Sequence, residues 1–179
     1  MKALPAEALE ALRDPTISLP AYAKIIDQKT GQEIKYDPYA ITNKLQATVV
    51  GYYADPPVTE MGQVKWLNLL GYRQGGKSLT AEACGYVKAA YTPGCDHVCI
   101  ADTKDRAEYL HRRVHLIHQN WPEVVRAPTV PNREVRQLSF QHGGKMRILS
   151  GESGAVGIGQ SPDSFHGSEL PWWRAAGSQ

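Results

Sequence analysis

Residues 71–78, GYRQGGKS, constrain this chain most because they fit the pattern G-x-x-x-x-G-K-[ST]. The three glycines of this stretch permit tight bends that turn several backbone N–H groups toward one point, where an anion can bind. Residues 64–70 before it have the character of a mostly apolar strand, and residues 79–91 after it have that of a helix. A strand, a glycine-rich turn and a helix in this order indicate a phosphate-binding loop.

The residue types of this loop suit a nucleotide polyphosphate. Lys77 can reach the β- and γ-phosphates, Ser78 can place its hydroxyl on Mg²⁺, and the following helix points its positive N-terminus at the same phosphates. The alternative is a glycine-rich turn at an ordinary strand-to-helix junction. The pattern predicts ATP and Mg²⁺ as cofactors, with nucleotide contacts from Gly71, Tyr72, Gln74, Gly75, Gly76, Lys77, Ser78 and Leu79.

Length and composition bound the class of protein. A chain of 179 residues suits one domain, or one domain with a small appendage. With 21% charged and 42% hydrophobic residues, wholesale disorder is excluded. The net charge of +2 permits contact with nucleic acid without being a strongly basic footprint. No signal peptide or membrane span is expected, since Pro5 and Glu7 interrupt the N-terminus before an apolar core forms and no later apolar run is long enough.

The three cysteines, Cys84, Cys95 and Cys99, are odd in number, and they lack the second pair that a zinc ribbon would need. The sequence therefore predicts reduced thiols in a cytosol.

The first part of the chain reads as short elements without a catalytic pattern. A helix is predicted over residues 5–13, and a second from Ser18 as N-cap to about Ile26. A brief strand is predicted over residues 33–36, and residues 39–53 fit either a helix or a strand. Residues 1–60 are accordingly predicted to form an N-terminal helical cover.

Strand and helix patterns alternate after the loop. Residues 97–101 form an apolar run typical of a strand buried on both faces. Asp102 or Thr103 can cap a helix that continues to about Asn120, whose inner stripe would consist of Ala107, Leu110, Val114 and Ile117. This alternation predicts an α/β fold with a mainly parallel sheet flanked by helices.

A hairpin and a glycine-rich segment follow. Residues 135–140 and 145–149, joined by His-Gly-Gly, are predicted to form an antiparallel extension of the sheet. Residues 150–160 contain four glycines and fit a mobile loop better than a second phosphate site, because no strand and helix flank them.

Hydrolysis would require a carboxylate that orients water, and residues 164–173, SFHGSELPWW, supply the candidate. Glu169 stands at the end of a short segment and Pro171 begins the next one. Ser168 occupies the place where a metal-binding Asp is usual, so it is the predicted second oxygen ligand of Mg²⁺ beside Ser78. The alternative is that Glu169 is a surface residue in a turn.

The residues YRQGGKS at 72–78, followed by SELPWW at 168–173, resemble the large terminase subunit of tailed bacteriophages. In that family the second motif often has Ser-Glu in place of Asp-Glu before an aromatic residue. Residues 100–107 and 157–163 are also similar to the family, so the resemblance covers about residues 64–173.

The resemblance implies a RecA-like P-loop ATPase in a motor that packages double-stranded DNA into a viral capsid. Residues 61–179 would be the ATPase core, incomplete at its C-terminus and without the family's nuclease domain. Implied partners are the portal protein, the small terminase subunit and further copies of the chain in a ring, in the cytoplasm of the infected bacterial host and away from membranes. Alternatives are a helicase-like P-loop ATPase and a nucleotide-binding fragment without turnover.

The resemblance also implies roles for single residues. Lys77 and Ser78 would hold the phosphates and Mg²⁺, and Glu169 would polarise the attacking water. Arg73 could act as an arginine finger in cis, although a structural salt bridge or a DNA contact would use the same guanidinium. Gln46 is the best-placed candidate for reading adenine, with Gln63 and an ordinary polar surface role as alternatives.

Two further groups of side chains favour ordinary explanations. His111, His115 and His118 lie at helical spacing, but the sequence lacks the H-E-x-x-H pattern, so a solvated helix face is predicted rather than a zinc site. Basic residues of the second half are interspersed with acidic ones, so DNA contact depends mainly on the resemblance.

Overall fold

The computed structural model describes residues 4–26, 30–39, 44–60, 62–63, 76–131, 136–153 and 161–168. The α-helices within these ranges are α1 (Ala6–Arg13), α2 (Pro15–Tyr22), α3 (Lys44–Ala54), α4 (Lys77–Tyr91) and α5 (Lys104–Asn120). The β-strands there are β1 (Lys24–Ile26), β2 (Glu33–Lys35), β3 (Val58–Thr59), β4 (Gly62–Gln63), β5 (Asp96–Ala101), β6 (Thr129–Val130), β7 (Gln137–Phe140), β8 (Lys145–Ser150) and β9 (Ser164–Gly167). A single 3₁₀ turn covers Gly151–Ser153.

The central element is a mixed sheet flanked by helices, so the chain is an α/β protein. In the described residues this sheet has five strands in the order β6-β7-β8-β5-β9. β5 pairs in parallel with both β8 and β9, whereas β7 pairs antiparallel with β8 and with β6. β1 with β2, and β3 with β4, form separate two-stranded antiparallel ribbons.

Helix α4 is the central helix of the hydrophobic core. It is buried along most of its length and packs against β5, β8 and β9 on one side and against the N-terminal helices on the other. One hydrophobic cluster unites α4 and the sheet with Leu12, Leu19, Tyr36 and Val50 from the N-terminal elements. The guanidinium of Arg13 also donates a 2.8 Å hydrogen bond to the carbonyl of Tyr91, which ties α1 to the end of α4. The predicted division between residues 1–60 and 61–179 stays a prediction.

The elements after α4 match the sequence pattern closely. β5 is buried on both faces. The side chain of Thr103 accepts from the backbone N–H of Arg106 and caps α5, and the predicted stripe of α5 is its buried face. The strand predicted before α4, residues 64–70, lies outside the described residues, as do residues 154–160 of the glycine-rich segment.

The prediction for the second helix was wrong at both ends. α2 begins at Pro15 and ends at Tyr22, because Asp14 is its N-cap and accepts from the backbone N–H of Thr16 at 2.8 Å. Asp14-Pro15 therefore both ends α1 and starts α2, in agreement with the preference for Pro in the first turn. The open choice for residues 39–53 is resolved as helix α3 from Lys44 onward, whereas Tyr39 lies in a turn.

The predicted hairpin is present as β7 and β8, but its placement differs from a simple extension. β8 lies inside the sheet, next to β5, and only β7 and β6 extend the sheet antiparallel. No helix among the described residues combines the length and apolar character needed to cross a membrane.

Candidate functional site

The candidate site begins at the first turn of α4. Gly76 precedes the helix in the left-handed conformation, with φ of 73°, and Lys77, Ser78 and Leu79 follow it as the first helical residues. The first N–H groups of a helix have no partner within the helix and carry its positive dipole end. The described end of the loop thus presents backbone donors and a lysine at one place. Gly71, Tyr72, Arg73, Gln74 and Gly75 lie outside the described residues.

The end of β9 meets this helix start. The hydroxyl oxygens of Ser78 and Ser168 lie 3.3 Å apart, although the two residues are 90 positions apart in the chain. Ser168 is held in place because its backbone N–H donates to the carbonyl of Ile100 at 2.9 Å, which extends the pairing between β9 and β5. Two predicted Mg²⁺ ligands are therefore neighbours. Glu169, the next residue after Ser168, lies outside the described residues.

Asp102 was predicted only as a possible helix cap, yet it shares this edge of the sheet. It directly follows β5, and the register pairs Ile100 with Gly167, so Asp102 and Ser168 both stand at the carboxyl ends of neighbouring parallel strands. Its carboxylate is mostly buried and lies 3.5 Å from Nε of Arg106. An acidic residue directly after a buried strand was the signal that could have identified it.

Gln46, the predicted adenine-side residue, lies against the start of α4. Its side chain is buried, and a Cβ added to Gly76 would lie 2.1 Å from its Nε2 atom. Its Oε1 atom accepts a 3.3 Å hydrogen bond from the hydroxyl of Tyr36. Gln46 is thus beside the loop that the sequence singled out, whereas its rival Gln63 ends β4.

A buried charged cluster lies one helical turn below Ser78. Glu82 of α4 is fully buried, and its carboxylate lies 2.8 Å from the guanidinium of Arg113 on α5. Burial raises the pKa of Glu82 to about 7, against the opposing effect of Arg113. His166 of β9 is close enough to Arg113 that, in addition to burial, this charge lowers the pKa of the imidazole to about 4. The cluster connects α4, α5 and β9 directly beneath the candidate site.

The prediction of a solvated face for the three histidines of α5 was wrong for His118. Its Nδ1 atom lies 3.1 Å from the hydroxyl of Tyr86, and burial lowers its pKa to about 4. His111 and His115 are half-buried with ring centroids 4.4 Å apart. Within the described part of the chain, no group of three or more His, Cys, Asp or Glu residues is arranged for a metal ion. The three cysteines are free and buried.

A separate open cleft of about 600 Å³ lies between α1, α2 and the end of α3. Its polar lining comes from Glu7, Glu10, Arg13 and Asp14, and none of its lining residues belongs to the start of α4 or the end of β9. The cleft therefore does not mark the site that the motif and the two serines define.

The donor set at the start of α4 fits a phosphate-bound Mg²⁺. Hard cations prefer oxygen ligands, and Mg²⁺ in nucleotide sites usually binds few protein oxygens together with substrate phosphates and water. The hydroxyls of Ser78 and Ser168 would be neutral oxygen ligands, so the phosphates of a nucleotide would have to supply the negative charge. In comparisons with known proteins, no protein-family model and no curated protein matches this chain.

Proposed function

We propose that this chain is a P-loop ATPase whose nucleotide site lies between the start of α4 and the end of β9. The observation that carries the proposal is the 3.3 Å distance between the hydroxyls of Ser78 and Ser168. A G-x-x-x-x-G-K-[ST] stretch alone is compatible with an ordinary turn, but here its serine also lies beside a second hydroxyl at the end of another strand. The parallel pairs of β5 with β8 and β9, flanked by α4 and α5, also support a RecA-like arrangement.

In this proposal the loop residues Gly71 to Ser78 and Leu79 hold the phosphates. Lys77 offers its ammonium group and the first turn of α4 offers its N–H groups to the β- and γ-phosphates. Ser78 and Ser168 provide hydroxyl ligands for Mg²⁺, which when bound neutralises charge on the phosphates. Asp102, at the neighbouring strand end, adds a negative charge at the same edge of the sheet.

The remaining catalytic roles are assigned to residues of the two motifs and to Gln46. Glu169 follows Ser168 directly and is proposed to take a proton from, and orient, the attacking water. Arg73 is proposed to stabilise charge on the γ-phosphate. Gln46, buried beside Gly76, is proposed to contact the base side of the nucleotide.

The biological role that we propose is the ATPase part of a motor that moves double-stranded DNA into a viral capsid. It is supported by the resemblance of residues 64–173 to large terminase subunits. The same resemblance supports assembly into a ring, contacts with a portal protein and a small terminase subunit, and a location in the cytoplasm of the bacterial host.

Nucleotide binding and turnover test the proposal together. The wild-type chain is expected to bind a fluorescent ATP analogue and to release phosphate when Mg²⁺ is present. Lys77→Ala should weaken binding, because it removes the charge that faces the phosphates. Glu169→Gln should bind nucleotide while its phosphate release falls about a hundredfold or more, the usual effect of removing a catalytic group.

Lys88→Ala is the matched control, because Lys88 lies in the last turn of the same helix. It should behave as wild type. Equal background release by all four proteins would refute the ATPase proposal, and binding without release would leave a nucleotide-binding chain. Stimulation by single-stranded rather than double-stranded DNA would favour a helicase-like ATPase over a packaging motor.

A further inference from the structure

Tyr36 connects α3 and the start of α4 through its buried hydroxyl. It donates to Oε1 of Gln46 on α3, and it also contacts the hydroxyl of Thr80 on α4. The Thr80 hydroxyl in turn donates to the carbonyl of Gly76 at 2.9 Å. A continuous polar path therefore runs from the Gln46 amide to the residue that precedes Lys77.

The hydroxyl protons cannot satisfy all three contacts at once. Tyr36 and Thr80 carry one hydroxyl proton each, whereas the path contains three contacts that each need a proton. The Tyr36 hydroxyl proton is thus shared between Gln46 and Thr80, which connects the amide on α3 to the first turn of α4.

The Gln46 side chain packs directly against Gly76. Gly76 has room for that side chain only because it has no Cβ, since a Cβ would lie 2.1 Å from Nε2 of Gln46. Burial also raises the pKa of the Tyr36 hydroxyl, so this group keeps its proton at neutral pH and remains a donor. A phenylalanine at position 36 would fill nearly the same space but could not orient the amide.

We propose that Tyr36 is a positioning residue of the nucleotide site, which orients the Gln46 amide over Gly76 and links it to the first turn of α4 through Thr80. This inference rests on the proposed function and extends it to a residue outside every motif. Tyr36 acts through both Gln46 and Thr80, so its effect on nucleotide affinity should be smaller when Gln46 is absent.

Two measurements on Tyr36→Phe test the inference. Without nucleotide, the side-chain amide NMR signals of Gln46, assigned by their loss in Gln46→Ala, should move toward those of unrestrained glutamines. With nucleotide, affinity for a fluorescent ATP analogue should fall about fivefold, the effect expected from one lost hydrogen bond. Adding Tyr36→Phe to Gln46→Ala should cause a smaller loss than Tyr36→Phe causes alone, because one of the two groups that Tyr36 contacts is already gone.

Tyr91→Phe is the matched control, since the buried Tyr91 hydroxyl donates to the carbonyl of Val125 at 2.8 Å, at the other end of α4. Tyr91→Phe should change neither the Gln46 signals nor the nucleotide affinity. Thr80→Val should weaken nucleotide binding because it removes the hydroxyl, whereas Thr80→Ser keeps the hydroxyl and should retain most of the affinity. Normal affinity in Tyr36→Phe, an equal loss in Tyr91→Phe, or additive effects with Gln46→Ala would overturn the inference alone. A wild-type chain that binds no nucleotide would overturn the proposed function and this inference together.

Discussion

Glu82 is a fully buried acidic residue, and burying its charge carries a free-energy cost. Its carboxylate is fully buried and its partner is Arg113, with a closest approach of 2.8 Å. Removing water from two charges costs several kcal/mol, which their mutual attraction must offset, so the loss of one partner is costly. Because its pKa is raised, Glu82 contributes stability below its unfolded pKa of 4.5 and loses that contribution as pH rises through about 7.

Arg113→Met is therefore expected to destabilise the chain in a pH-dependent way. The substitution removes the charge that opposes the rise in the pKa of Glu82, so protonation of Glu82 limits the loss at low pH. We expect the free energy of unfolding to fall by about 3–5 kcal/mol at about pH 8, and by clearly less at about pH 5.5. Urea unfolding of wild type and variant at both pH values measures the difference.

Arg106→Met serves as the comparison, because Arg106 is half-exposed and its contact with Asp102 is 3.5 Å. It should cost less than about 1 kcal/mol in the free energy of unfolding. Arg113→Met should also raise the depressed pKa of His166. This reduces the free-energy cost of keeping the imidazole neutral at acid pH, so the destabilisation is again smaller at the lower pH. A deficit for Arg113→Met that is larger at the lower pH would contradict this account of Glu82.

At the scale of elements, the contact between α4 and β5 depends on a glycine, Gly85. Gly85 of α4 faces the ring of His97 on β5, and a Cβ there would lie 2.2 Å from its Nε2 atom. The ring is fully buried and its Nδ1 atom lies 2.7 Å from the hydroxyl of Ser164 on β9. Gly85 thus sets how closely α4 approaches the parallel part of the sheet.

Gly85→Ala is expected to destabilise the chain, although alanine is the better helix former. The helix preference for alanine over glycine is about 1 kcal/mol, whereas overpacking in a core costs about 1–3 kcal/mol. The His97 ring cannot easily move away, because Ser164 holds its Nδ1 atom on the other side. Gly51→Ala in α3 is the control, because a Cβ there meets nothing within 4 Å, and it should stabilise. Thermal unfolding should rank Gly51→Ala above wild type and Gly85→Ala below it; a stabilised Gly85→Ala would disprove the tight contact.

Local sequence patterns predicted some helices and strands correctly. They failed where the same residues belong to the boundaries of two elements, or where a strand has a second partner far away in the sequence. The apolar stripe of α5 and the cap at Thr103 located that helix, because both are properties of its own sequence. The pair Asp14-Pro15 was interpreted as the end of one helix, whereas it also starts the next. The hairpin pattern predicted that β7 pairs with β8, but the partner on the other side of β8 depends on residues about 50 positions away.

At the scale of the whole molecule, the sheet brings together residues that no local pattern connects. Ser78 and Ser168 were predicted as Mg²⁺ ligands from two motifs far apart in the chain, and the parallel pairing of β9 with β5 explains why they meet. Tyr36 and Thr80 belong to no motif, so the path between Gln46 and Gly76 could not be predicted from the sequence. Long-range pairing and side-chain packing decide such contacts, and they are properties of the complete fold.

The coupling between Ser78 and Ser168 in Mg²⁺ binding tests the central claim most directly. The measurement is the Mg²⁺ affinity of the nucleotide-loaded chain for wild type, Ser78→Ala, Ser168→Ala and the double variant, with Ser164→Ala at the start of β9 as control. Each single change should weaken Mg²⁺ by about fivefold or more, and the double variant should lose less than the product of the two, because neighbouring groups at one site do not act independently. Independent effects of the two serines, or Mg²⁺ affinity equal to wild type in both variants, would contradict a shared nucleotide–Mg²⁺ site at this edge of the sheet.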